Sequence, residues 1–167
     1  MRAGPTSTSD EAVLPHGAVL QPLGSDVGAM GSVLELFDPD WQVHPDPLVS
    51  AHVFTILPGR AKGWGRHEHH DDRYALLAGS IEVALCDARA DSPTCGLGVL
   101  IQIHEAQRRL LVIPRGVWHA ARNLGRTEAL VVDFPTAPYD HARPDKFTLP
   151  LDTAELPMVL DRAWVGF

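Results

Sequence analysis

The chain has 167 residues, enough to bury one hydrophobic core without staples, and a single domain is the default at this length. Hydrophobic residues at 45% and charged residues at 21% describe a globular composition and exclude a disordered or fibrous chain. A formal charge of −7 and a pI near 5.6 leave no basic face for a phosphate backbone, which excludes nucleic acid as a partner.

Residues 1–16 mix Ser, Thr, Gly, Pro and charge without periodicity, the pattern of a disordered N-terminal tail ahead of a domain over 17–167. This start has no apolar segment of the secretory type, and no apolar run in the chain approaches the ~20 residues that span a bilayer. The expectation is a cytoplasmic protein with no membrane partner. Cys86 and Cys95 show no C-x-x-C spacing and are expected to be free thiols.

From Ala18 onward β-prone runs recur between turn signals: AVLQPL, GSVLELF, SAHVFTIL, SIEVALC, GVLIQI, RRLLVI and EALVVDF. In SIEVALC the residues Ile81, Val83 and Leu85 alternate with Ser80, Glu82 and Ala84, a period of two that turns one face of a strand inward. Gly and Pro fall mostly between the runs, in LPGRAKGWG, SPTCGLG and IPRG, where they supply turns. The pattern predicts an all-β antiparallel barrel or sandwich, with at most a short helical turn before Pro157.

Three of the nine histidines lie in GWGRHEHHDDRYALLAG. Strand alternation there predicts His67 and His69 on one face, with Glu68 and His70 on the other. A further histidine, His119, stands in IPRGVWHAARN. A neutral imidazole suits removal of a proton next to a ketone, and it equally suits a divalent metal. His16, His44, His70, His104 and His141 lack comparable support and are read as solvated or hydrogen-bonded residues. Trp64 and Trp118 flank the histidine segments, where they either pack on a flat ligand or belong to the core. Arg73 either meets a ligand anion or pairs with Asp71 or Asp72.

These stretches resemble the two cupin motifs. Pro114, Gly116, His119 and Asn123 fit P-x-G-x-x-H-x-x-x-N, while His67, His69 and Gly79 fit the first motif, with Asp72 where cupins carry glutamate and one residue too close to His69. DARADSPTCG at 87–96 and RRLLVIPRGVWH at 108–119 are similar to segments of the dTDP-4-dehydrorhamnose 3,5-epimerases, the RmlC-like branch of cupins. The resemblance implies a jelly-roll β-barrel, a small-molecule substrate and a homodimer. It implies catalytic roles for His67 or His69 and for His119, and substrate binding by Arg66, with Trp64, Arg73 and Trp118 close by.

The resemblance also leaves gaps. The family's acid is a tyrosine on the strand after the second motif, where this chain has Val131 in TEALVVDF, and Tyr139 is the nearest tyrosine. The family's later aspartate, which orients the base, has no evident counterpart. Net inversion at both carbons of a 3,5-epimerase substrate is therefore expected to be slow. Two further readings stay open: a metal-dependent oxygenase or lyase holding Fe, Mn, Ni or Zn through His67, His69, Asp72 and His119, and a ligand-binding cupin without catalysis.

Overall fold

The computed structural model describes residues 13–165. Its strands are β1 (Val19–Pro22), β2 (Ser25–Gly28), β3 (Gly31–Leu34), β4 (His52–Ile56), β5 (Ala61–Arg66) and β6 (Asp72–Ala78). They continue with β7 (Ser80–Asp87), β8 (Gly98–His104), β9 (Arg109–Ile113), β10 (Val117–Asn123), β11 (Ala129–Asp133) and β12 (Phe147–Leu149). A one-turn helix, α1 (Arg162–Val165), lies near the end. The fold is all-β, and among the described residues no helix is long and apolar enough to cross a membrane.

Two five-stranded antiparallel sheets, ordered β1-β9-β6-β11-β4 and β12-β5-β10-β7-β8, face one another, and among the described residues β2 and β3 pair only with each other. Between the sheets lies the main core, built from alternate residues: Ile81, Val83 and Leu85 of β7, Val99, Ile101 and Ile103 of β8, Leu111 and Ile113 of β9. The outer faces are covered as well. Segment 151–164 lays Leu156, Met158, Leu160 and Trp164 over Trp64, Ala84, Cys86 and Ala120, so both faces of β7 are buried. Leu36, Phe37 and Val43 do the same for Ala75, Leu110 and Val132 on the other sheet.

Two expectations need correction. The tail expected over 1–16 falls outside the described residues up to residue 12, but 13–16 are attached to the barrel. There Leu14 packs on the core, the His16 N–H donates to Thr94, and Arg89 donates to the His16 carbonyl. The helical turn lies after Pro157, where the Asp161 carboxylate accepts from Ala163 N at 2.9 Å. Strands β5, β6 and β10 run through the glycine-rich, histidine-rich and charged stretches that the apolar pattern passed over.

Candidate functional site

The inward rows of three neighbouring strands change from apolar to polar along their length. On β4 the row is Ile56, Phe54, His52, on β6 it is Leu76, Tyr74, Asp72, and on β11 it is Val131 then Asp133. The polar ends open into a cavity of about 240 Å³ between the sheets, closed on the other side by Lys62, Gly65, His119 and Ala121. A β-bulge makes that wall: Gly65 pairs with His119 but Lys62 pairs with Ala121, so one extra residue lets Lys62 and Gly65 both face inward. A Cβ on Gly65 would lie 3.5 Å from His119 Nε2, so the glycine keeps the space before that imidazole open.

Residues 67–71 form a turn between β5 and β6 rather than a continuing strand, and this changes which histidines meet. His67 and His70 stack with ring centroids 4.1 Å apart, and His119 stands 5.6 Å from His67. His69 points away, exposed, toward a second depression with Pro138 and Arg143. The expected pairing of His67 with His69 is thus replaced by His67 with His70, because strand alternation does not apply across a turn.

Asp145, in the segment before β12, fixes this turn. Its carboxylate accepts from the N–H groups of Glu68 and His69 at 2.9 and 2.8 Å and lies 2.9 Å from His70 Nδ1, while its carbonyl accepts from His67 Nδ1. An aspartate that orients the imidazoles is therefore present, although the sequence revealed none. The second motif supports the same turn from below. The Gly116 N–H donates to the His67 carbonyl at 2.7 Å, and Arg115 donates to Asp71 through both its backbone and its side chain. Asn123 has a different task, donating to the Ile56 and Thr127 carbonyls and accepting from Gly125 N, which closes the turn between β10 and β11.

At the centre is Asp72, only 2% exposed. Its Oδ2 lies 3.5 Å from His67 Nε2 and 3.4 Å from His119 Nε2, and its Oδ1 lies 3.4 Å from His70 Nε2 without a hydrogen-bond partner. With the Nδ1 atoms of His67 and His70 committed to Asp145, and that of His119 3.3 Å from the Val117 carbonyl, the Nε2 atoms converge on the carboxylate. Burial pushes the Asp72 carboxyl upward, but the imidazoles of His70, His119 and His67 outweigh it and hold the group below its ordinary value. Burial lowers His119 and keeps it neutral, whereas His70 is raised because Asp72 and Asp145 overcome its burial. The Tyr74 hydroxyl reaches Asp72 at 3.5 Å and is pushed well above its ordinary value by burial and the nearby carboxylates.

The other expected ligand contacts are not in the cavity wall. Trp64 is fully buried in the outer core, and Trp118 packs at its margin. Arg66 is paired with Glu68 at 2.8 Å and stacked on Trp118 and Phe147, on the outer side of β5. Arg73 contacts neither Asp71 nor Asp72: its guanidinium donates to the carbonyls of Asp46, Pro47 and Phe134 and pins the 36–48 segment to the outer face. The cavity's own cations are Lys62 and Lys146. Of these residues, His70, Tyr74 and Asp145 carried a sequence signal only in being polar within or after an otherwise β-prone region.

No protein-family model matches the sequence. The chain is 32% identical over 139 residues to a probable low-salt glycan biosynthesis epimerase, Agl13, of Haloferax volcanii, covering 82% of this chain and 88% of that protein. It is 37% identical over 95 residues to the spore coat polysaccharide biosynthesis protein SpsL of Bacillus subtilis, covering 57% of this chain and 63% of the relative. Among solved structures, a dTDP sugar isomerase from Desulfovibrio desulfuricans superposes with a TM-score of 0.76 at 30% identity, over 83% of this chain and 88% of the other. An epimerase from Mycobacterium tuberculosis shares the fold, with a TM-score of 0.75 at 18% identity over 95% and 77% of the two chains.

Proposed function

Because this chain belongs to the RmlC-like cupin family of sugar epimerases and isomerases, we propose that it moves a proton next to the carbonyl of a nucleotide-linked keto sugar. The observation that carries this reading is the convergence of imidazole Nε2 atoms on one cavity, with their Nδ1 atoms held by the protein. With its Nδ1 toward the Val117 carbonyl and burial keeping it neutral, His119 presents Nε2 as an acceptor, the form a general base needs. His67 and His119 remove the proton, His70 and Asp72 position them, and Asp145 fixes the turn that carries His67 and His70. Lys62 and Lys146 at the cavity wall hold the diphosphate of the nucleotide.

The test uses dTDP-4-keto-6-deoxyglucose in heavy water, followed by NMR. Deuterium is expected to enter at a carbon next to the ketone, and the rate is expected to fall by about 10²-fold or more in His119→Ala. No deuterium entry above the protein-free rate overturns the proposal.

A second reading is favoured by the unpartnered Oδ1 of the buried Asp72. A carboxylate facing imidazole lone pairs is a donor set that fits a divalent cation, with His67, His70, Asp72 and His119 as ligands in place of the set containing His69. Such an ion acts as a Lewis acid toward a carbonyl oxygen. Elemental analysis of protein purified without added metal separates the readings: stoichiometric Fe, Mn, Ni or Zn that is lost in His70→Ala favours the ion, and metal-free protein that still catalyses exchange removes it.

We also propose a cytoplasmic homodimer. Among the described residues, the β2–β3 hairpin presents Val27, Met30 and Val33 to solvent and pairs with neither sheet, and β4 leaves one edge of its sheet unpaired. Cys86 and Cys95 are free, in keeping with a reducing compartment.

A further inference from the structure

The cavity has a second ionisable pair on the sheet opposite His119. Val131 occupies the inward position on β11 where the family's tyrosine was expected, and it is fully buried in the core. Two residues along the same inward row stands Asp133, and its cross-strand neighbour on β4 is His52. His52 Nε2 lies 3.1 Å from Asp133 Oδ2, the other carboxylate oxygen accepts from Arg73 N at 3.2 Å, and both residues line the cavity.

Resting on the proton-transfer reading above, we propose that the His52–Asp133 pair returns a proton to the substrate carbon from the face opposite the base, and so turns exchange into inversion. The placement supports this in three ways. First, His119 is carried by β10 of one sheet, whereas His52 and Asp133 are carried by β4 and β11 of the other, so the two proton carriers face each other across the cavity. Second, the pair differs in exposure: the Asp133 side chain is 6% exposed and that of His52 is 52% exposed. The pair thus joins the interior to water and can be recharged between turnovers. Third, of the two tyrosines that line the cavity, Tyr74 donates to Asp72, and Tyr139 lies beyond β11 with its ring against that of His141.

The proton balance closes without another reactant. His119 Nε2 takes the proton, and the C–H electron pair moves into a carbon–carbon double bond while the carbonyl pair moves onto oxygen. The enolate electrons then form a new C–H bond with a proton from the His52–Asp133 pair on the other face, and the carbonyl re-forms. His119 releases its proton to water, and His52 takes one from water. Burial raises the Asp133 carboxyl, with His52 opposing it, and the hydrogen bond to Asp133 raises His52, so the pair retains a proton that a lone exposed imidazole would lose earlier.

The experiment compares wild type with His52→Gln and Asp133→Asn, using dTDP-4-keto-6-deoxyglucose in heavy water and recording deuterium entry and configuration at the same carbon. Both substitutions keep a polar side chain of similar shape, and circular dichroism verifies that each variant folds. Wild type is expected to exchange and invert. Each variant is expected to exchange within about threefold of wild type while inversion falls about 10²-fold or more, because only the returning proton is lost. Inversion at the wild-type rate in both variants overturns the pair's role while leaving the proton-transfer reading intact, as does loss of inversion in Tyr74→Phe or Tyr139→Phe with His52→Gln unaffected. Absence of exchange in wild type overturns both.

Discussion

At the scale of single residues, a turn decides the site. His67 was legible because its place in the cupin pattern coincides with its place in the fold, and His119 for the same reason. His69 and His70 exchange roles because the chain leaves β5 at Arg66 and re-enters a strand only at Asp72, so a rule of alternation has no footing between them. The backbone of His69 is what matters, since its N–H is held by Asp145. His69→Ala is therefore expected to leave the exchange rate within about twofold of wild type, while His70→Ala lowers it by about tenfold or more, as loss of one positioned imidazole should. Equal effects of the two substitutions in the same heavy-water assay would show that the turn is arranged otherwise in solution. Arg73 illustrates the opposite limit of sequence reading. Its neighbours in the chain are acidic, but its partners are backbone carbonyls 26, 27 and 61 positions away, which no local pattern contains.

At the scale of elements, the apolar strands β4, β7, β8, β9 and β11 were visible in sequence because each buries a row of branched side chains. Strands β5 and β10 were hidden because one carries the site's glycines and the other its histidine, alanines and arginine. The strap over 151–164 was hidden for another reason: it is irregular, and its contacts come from four spaced apolar residues rather than from any period. Beneath it, Cys86 is fully buried, and burial pushes its thiol up to about 11. Cys95 is exposed, so the two thiols form an internal comparison. With a maleimide or disulfide reagent Cys95 should label at once and Cys86 only as fast as the strap lifts. Trp164→Ala removes the largest side chain of the strap and the ring under Arg122, and is expected to cost about 3–5 kcal/mol and to speed Cys86 labelling by about tenfold or more. Unchanged Cys86 labelling in that variant would mean that the strap is held by something other than its apolar contacts.

For the whole molecule, the all-β class and the family were legible from strand rhythm and two motifs, because both depend on neighbours close in the chain. Association is a property of surfaces that the sequence does not order. The hairpin carrying Val27, Met30 and Val33 predicts that light scattering at micromolar concentration gives about twice the 18.2 kDa chain mass, and that Val27→Lys with Val33→Lys shifts the species toward the monomer. A wild-type monomer under those conditions removes the proposed dimer. The turn that aims His67 and His70 is secured by Asp145 through contacts 76 to 78 positions apart. Contacts of that span form after the local hairpin pairings of β2 with β3 and β7 with β8, in step with the comparably distant pairings of β1 with β9 and β4 with β11. During refolding a first β-sheet signal from the hairpins should thus appear before the histidines are aimed, and a nascent chain that has not yet delivered Asp145 carries β1 to β11 without a working site. In this fold, activity is a later event than shape.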